Sequence, residues 1–170
     1  MRRAARLGLA VGIALQLTTA SVGAEGPLDA KLFAIRPSEV GDNWTTERER
    51  DEGDLYQVVY AYPVARGEPP MATVTIGLAA AAADVEGLLA GSRSLYEAHG
   101  YTFEPTEGVG DRTGWRGTMH RPGVAGTIYV FAVGQAVVFA AVLGPPEREA
   151  ELDQTAALLA RAQEQRLPRA

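Results

Sequence analysis

Residues 127–143 read TIYVFAVGQAVVFAAVL, and this uncharged stretch decides what kind of protein the chain forms. The wider run over residues 122–146 is long enough to cross a membrane as a helix. However, Gly134 and Gln135 divide it into two halves of strand length that are rich in Val, Ile, Tyr and Phe. Glycine at the first central position suits a two-residue type II′ turn, whose twist matches that of the flanking strands. The sequence therefore predicts a β-hairpin here, with a membrane span as the alternative.

The segments around this hairpin show the period-two alternation that is typical of half-buried strands. Residues 55–62 (LYQVVYAY) alternate between two faces, and residues 72–79 (ATVTIGLA) provide a returning strand whose threonines point outward. Residues 114–120 alternate in the same way, after a short extended run over residues 101–105. By contrast, residues 47–54 (ERERDEGD) carry mixed charge throughout and are predicted to form a solvated loop.

Two helices are predicted from apolar positions spaced three and four residues apart, besides a single helical turn at residues 37–40. The second helix covers residues 147–167, where acidic residues fill the first turns and arginines lie near the end, as the helix dipole favours. The first helix covers residues 84–99. Its predicted apolar face, opposite to Arg93, consists of Val85, Leu88, Leu89, Ser92, Leu95, Tyr96 and His99. The predicted fold class is therefore α+β, with an antiparallel sheet of five to six strands and two flanking helices.

The first 24 residues have the composition of a secretory signal peptide. Arg2, Arg3 and Arg6 form a basic start, and small side chains at Val22 and Ala24 occupy the positions that a signal peptidase requires. The apolar core between them has about 11 residues, fewer than the roughly 20 that a membrane span needs. We therefore expect cleavage after Ala24. The expected organisation is a signal peptide (1–24), an N-terminal extension and loop (25–54) and a single α+β domain (55–167).

Charge and cysteine content limit the compartments and partners of the mature chain. Removing the three arginines of the signal peptide leaves 13 basic and 21 acidic residues, a formal net charge of −8. Because such a surface repels phosphate backbones, no nucleic-acid partner is expected. The chain has no cysteine, which excludes disulfides, thiol catalysis and a lipid-modified cysteine at the cleavage site. We therefore expect an exported protein in the periplasm, at the cell surface or outside the cell, without a stable membrane anchor after cleavage.

No motif in the sequence indicates catalysis, a metal ion or a cofactor, so no catalytic or metal-binding residue is assigned and the ligand-binding residues remain unknown. The segment from Gly108 to Gly110 begins like a dinucleotide loop but precedes a strand, whereas a phosphate loop must open onto a helix. His99 and His120, the only histidines, lie on different elements. The acidic residues near Asp51 alternate with arginines and do not have the spacing of a calcium loop.

The order of elements resembles that of small secreted bacterial PsbP-like α/β sandwich proteins. The resemblance is carried by a loop with Gly41 and Trp44, a tyrosine-led strand pair, the helix over residues 84–99, a three-strand meander and a final helix. It covers most of the mature chain, although no diagnostic motif supports it. The resemblance implies an antiparallel sheet with flanking helices, and a binding or assembly role more often than catalysis. It implies no functional residue for this chain.

The function predicted from these observations is noncatalytic binding of an unknown protein or small ligand in the cell envelope or outside the cell. The alternative is a hydrolase-type enzyme with a dispersed carboxylate and histidine site, for which Asp111 and His120 are the candidates. A membrane-bound protein with an uncleaved signal is the third interpretation. On one face of the strand over residues 114–120, Arg116 and His120 are candidates for lining a pocket.

Overall fold

The hairpin predicted from residues 127–143 is confirmed in a computed structural model, which describes residues 29–61, 71–111 and 114–167. Its two strands are Val124–Val133 and Ala136–Gly144. Between them Gly134 has φ of +56°. Gln135 is not among the described residues with positive φ, which fits a type II′ turn, since a type I′ turn requires positive φ at both central positions.

Gly134→Val is expected to lower the free energy of unfolding by about 1–3 kcal/mol, because a branched side chain is strained at positive φ. A membrane helix would respond in the opposite way, since valine is more hydrophobic than glycine and a better helix former. The urea midpoint of the purified variant measures the effect. A variant as stable as the parent would contradict the tight turn.

The hairpin lies within a seven-stranded sheet in which every pair of neighbours is antiparallel. In chain order the strands are β1 (Thr45–Asp51), β2 (Leu55–Ala61), β3 (Met71–Leu78), β4 (Thr102–Thr106), β5 (Gly114–Arg121), β6 (Val124–Val133) and β7 (Ala136–Gly144). Their order across the sheet is β1-β2-β3-β7-β6-β5-β4. The α+β class and the antiparallel sheet are confirmed, but the prediction of five to six strands is wrong.

The strand missing from the prediction is β1, which occupies most of the charged segment expected to be a loop. All seven of its residues are exposed, so it lacks the apolar alternation by which a strand is recognised. Backbone pairing with β2 holds it, from Thr45 opposite Ala61 to Asp51 opposite Tyr56, with an irregularity at Glu47. A charged edge strand of this kind discourages unspecific pairing with other chains.

Helices cover both faces of the sheet, and the described residues form three α-helices where two flanking helices are predicted; the third is the single helical turn predicted at residues 37–40. They are α1 (Pro37–Val40), α2 (Val85–Ala98) and α3 (Glu149–Arg166). Helix α3 packs on β6 and β7 from one face, and α2 packs on β4, β6 and β7 from the other. The periodicity of α2 is confirmed at Val85, Leu89 and Ser92, which are buried. The other predicted members of this face are partly buried, except for His99, which is exposed. Arg93 is not opposite that face but beside it, over the ring of Trp115.

The segment before β1 is tied to α3 by Gln163, a fully buried side chain. Its Oε1 accepts a hydrogen bond from the Ile35 amide at 3.2 Å, and its Nε2 donates to the Phe33 carbonyl at 2.6 Å. The Tyr60 hydroxyl donates to the Ile35 carbonyl at 2.6 Å. Part of the predicted N-terminal extension thus belongs to the same core as the sheet.

Two expectations concern the membrane. In the described ranges, no helix is both long and apolar enough to cross a bilayer. The predicted signal peptide and its cleavage site after Ala24 lie outside the described residues.

Candidate functional site

Arg116, one of the two predicted pocket residues, is bound by carboxylates. It lies on β5 and faces α3, where its Nε donates to Asp153 Oδ1 at 2.9 Å. One of its terminal amino groups donates to Glu104 Oε1 on the neighbouring strand at 2.7 Å. The hydrogen bond to Asp153 raises the pKa of Arg116 above its usual value. Arg116 therefore fastens α3 to the sheet.

His120 also contacts α3, one turn closer to its start. Its Nε2 lies 2.9 Å from Glu149 Oε1, and both side chains are more than half exposed. Solvent screens such a pair, so its contribution to stability is small. Since Glu149 and Asp153 are four residues apart on α3, they face the same strand and engage His120 and Arg116 in turn. The predicted polar strand face is thus a contact between sheet and helix.

Asp111, the other residue of the hydrolase alternative, is far from His120. The Asp111 carboxylate accepts a hydrogen bond from the Gly134 amide at 2.7 Å, and its own amide donates to the Ala132 carbonyl at 3.0 Å. His120 lies opposite Ala125 of β6, which is seven residues before Ala132, the residue that Asp111 contacts. At about 3.4 Å per residue the two groups are roughly 24 Å apart. The structure does not bring these two candidates together for catalysis.

A different part of the sheet is open to solvent. On the face that carries α2, seven partly exposed residues of β2, β3 and β7 form a continuous surface, which we call the open patch. Strand register places them in two complete rows across three neighbouring strands, with Gln57 at one corner. The open patch consists of Gln57, Val59, Ala61, Met71, Thr73, Ala141 and Leu143.

The open patch exists because α2 covers only part of its face. Helix α2 packs on β4, β6 and β7, and the described residues place no second helix beside it over β1, β2 and β3. The part of the face that α2 covers extends to Phe139 of β7, whose ring stacks on that of Tyr96 with centroids 5.9 Å apart. The Leu143 side chain lies over Gly126, so the patch ends at β6.

Two arginines form the opposite border of the open patch. On β1, Arg48 lies opposite Val59 and Arg50 lies opposite Gln57, so both share the face of the patch. Glu49 and Asp51 point to the other face, where Glu49 pairs with Lys31 at 3.2 Å. The alternation of charge along β1 therefore gives basic side chains to one face and acidic side chains to the other. Glu52, just after β1, partly neutralises this basic border, because it accepts a hydrogen bond from Arg50 Nε at 2.8 Å.

The core beneath both faces contains tyrosines that resist ionisation. Burial raises the pKa of Tyr101 to about 12, and burial together with nearby Glu49 raises that of Tyr56 to about 12. Burial also raises the pKa values of Tyr60 and Tyr96 above the usual value. These hydroxyls are structural groups at neutral pH.

Stability is therefore expected to fall between pH 10 and pH 12. In the unfolded chain tyrosine ionises near pH 10. Because the unfolded state therefore loses this proton at a lower pH than the folded state, the unfolded state becomes more favoured as the pH rises. For Tyr56 and Tyr101 the expected loss is about 2–3 kcal/mol each, complete near pH 12. Urea unfolding at a series of pH values measures it, and Tyr101→Phe should show a shallower decline. Constant stability up to pH 12 would contradict the burial of these hydroxyls.

Comparisons with known proteins identify no family for the chain. No protein-family model matches the sequence, and no curated protein matches it. Among solved structures, the chain is similar to LpqN, involved in cell envelope biogenesis of Mycobacterium tuberculosis, with a TM-score of 0.40 and 16% identity. The alignment covers 71% of this chain and 76% of that chain. Neither the role of LpqN nor any of its residues is carried over.

Within the described residues, no group of three or more histidine, cysteine, aspartate or glutamate side chains is arranged to hold a metal ion. The open patch contains no ionisable side chain; it offers apolar surface, one amide and one hydroxyl. The Gln57 amide donates to Thr75 Oγ1 at 3.1 Å at its edge. A surface of this chemistry can bind a partner or ligand but has no group that would transfer a proton.

Proposed function

We propose that this chain is an exported, noncatalytic domain that binds a protein or small ligand through the open patch, in the cell envelope or outside the cell. The observation that carries the proposal is the uncovered part of the sheet face over β2, β3 and β7. Membership of the PsbP-like group remains a prediction.

The chemistry of the open patch supports binding. Val59, Ala61 and Ala141 present apolar side chains, and burying apolar surface is the main favourable term in most protein associations. Thr73 and Gln57 add hydrogen-bonding groups within the same rows, which orient a bound molecule. Helix α3 and the chain from residue 29 to β1 cover the opposite face, whereas the described residues leave part of the α2 face open to a partner.

Site-specific photocrosslinking in the native envelope tests the proposal. A photoreactive phenylalanine analogue replaces Thr73 in one variant and Leu158 in another. Leu158 is a suitable control because it is apolar and 63% exposed, but it lies on α3, on the other side of the sheet. Illumination should give a discrete adduct from position 73 and none from position 158. Equal adducts at both positions, or none at position 73, would contradict binding at the open patch.

A further inference from the structure

The open patch has the width of one α-helix. Helix α2 lies above β6, and strands are about 4.8 Å apart, so β3 lies two strands, or roughly 10 Å, to its side. Two packed helices have axes about 8–10 Å apart. A second helix placed against α2 would therefore run above β3, the central strand of the patch, and would reach β7 on one side and β2 on the other.

The side chains of the patch suit a helix that lies close to the sheet. One of its two complete rows consists of Val59, Thr73 and Ala141, none of which is long, and the other consists of Ala61, Met71 and Leu143. Helix α2 lies on one side of the patch. Its Leu88 and Leu95 are partly exposed and lie on the flank of the helix opposite to Arg93. On the other side lie the long side chains of Arg48 and Arg50. The result is a trough with a mostly apolar floor, one apolar wall and one basic border.

We propose that the open patch accepts a single amphipathic α-helix of a partner protein. The apolar stripe of the bound helix lies on β3 and against α2. Acidic side chains along one edge of that helix meet the arginines of β1. The inference rests on the proposed function, whose site it shares, and adds the kind of partner. Charge complementarity sets the orientation, because acidic residues on the other edge would face the leucines of α2.

Pairing with a second copy through the free edge of β1 is disfavoured by the same charges. Antiparallel pairing of two β1 strands about a two-fold axis keeps the faces in register, so arginines meet arginines on one face and acidic residues meet acidic residues on the other. Like charges directly opposite each other destabilise a strand pair. The β1 edge therefore does not supply the occupant of the patch by self-association.

Three synthetic peptides of about 18 residues test the proposal with the exported chain. The first is a helix-forming peptide with an apolar stripe and glutamates on one flank, the second carries lysines in place of those glutamates, and the third has the composition of the first in scrambled order. Fluorescence anisotropy should show binding of the glutamate peptide and several-fold weaker binding of the lysine peptide, since the lysines are repelled by Arg48 and by Arg50, whose charge Glu52 partly neutralises. Thr73→Arg should abolish binding.

Charge reversal on the protein gives the sharper comparison. In the double variant Arg48→Glu with Arg50→Glu the lysine peptide should become the tighter ligand. Arg161→Glu, at an exposed position of α3, makes a control that should leave the order of affinities unchanged.

Two results would overturn the helix proposal: no binding of the glutamate peptide at about millimolar concentration, or equal binding of the scrambled peptide. If adducts still form at position 73 in either case, the patch binds an occupant that is not such a helix and the proposed function stands. If they do not form, both proposals fail together.

Discussion

Replacing Gln163 with alanine is expected to lower the free energy of unfolding by about 3–5 kcal/mol. The side chain is fully buried and bridges the Ile35 amide and the Phe33 carbonyl. Its removal leaves two backbone groups without their partner, at about 1–3 kcal/mol each, and adds a cavity beside α3. Because this bridge joins the start of the described chain to its last helix, the Ile35 amide should also exchange with solvent faster. Urea unfolding and hydrogen exchange measure the two effects.

Gln154→Ala is the matched control for this experiment. Gln154 lies on the same helix but is exposed, so the same change should shift stability by about 0.5 kcal/mol or less. Equal effects at the two positions would show that Gln163 does not make the bridge described above.

Gly110→Ala is expected to lower the free energy of unfolding by a similar amount, about 3–5 kcal/mol. Gly110 has φ of +81°, and an added Cβ would lie 2.6 Å from the Ala132 carbonyl oxygen. Positive φ costs alanine about 1–2 kcal/mol, and the contact with backbone adds the cost of overpacking. The neighbouring Asp111 bonds both Ala132 and Gly134, so the displacement would also disturb the turn of the central hairpin.

Gly108→Ala separates the two causes. Gly108 has nearly the same φ, +82°, but a Cβ added there would meet no atom within 4 Å. Its replacement should therefore cost only the backbone strain, about 1–2 kcal/mol. If Gly110→Ala is no more destabilising than Gly108→Ala in urea titrations, the close approach to Ala132 is wrong.

The central hairpin and helix α2 could be predicted because the residues that determine them are neighbours in the sequence. Gly134 and Gln135 stand between two runs of strand residues, and both the turn and its strands form as expected. Helix α2 could be predicted from spacing alone. Strand β1 could not, because its residues are all exposed and its position depends on backbone pairing with β2, which leaves no trace in side-chain pattern.

Contacts between distant segments account for the rest. Gln163 looks like any polar residue of a surface helix until the chain near Ile35, 128 residues away, is folded against it. Arg116 and His120 are predicted to line a pocket because nothing in the sequence around them shows that α3, which packs on β6 and β7, brings Asp153 and Glu149 within reach of β5. Arg93 was expected on the outer face of α2, and the sheet beneath brings Trp115 within 4.5 Å of its guanidinium.

Only part of the open patch could be predicted from the sequence. Alternation along residues 55–62 and 72–79 indicated the two faces of β2 and β3, and Thr73 was expected to point outward. The patch as a surface depends on β3 and β7 being neighbours, which brings Thr73 beside Ala141. These strands are separated by α2 and three other strands in the chain, so only the order across the sheet reveals the arrangement.

The solvent accessibility of two methionine methyl groups shows whether the sheet face over β2, β3 and β7 is open. Besides Met1, the chain has only Met71 and Met119, both on the α2 face of the sheet. Met71 lies in the open patch, whereas Met119 is 4% exposed. With methyl-labelled methionine and a soluble gadolinium chelate, we expect paramagnetic broadening several-fold greater at Met71 than at Met119, on the order of their difference in exposure. Equal broadening of the two signals would contradict an open patch on this face.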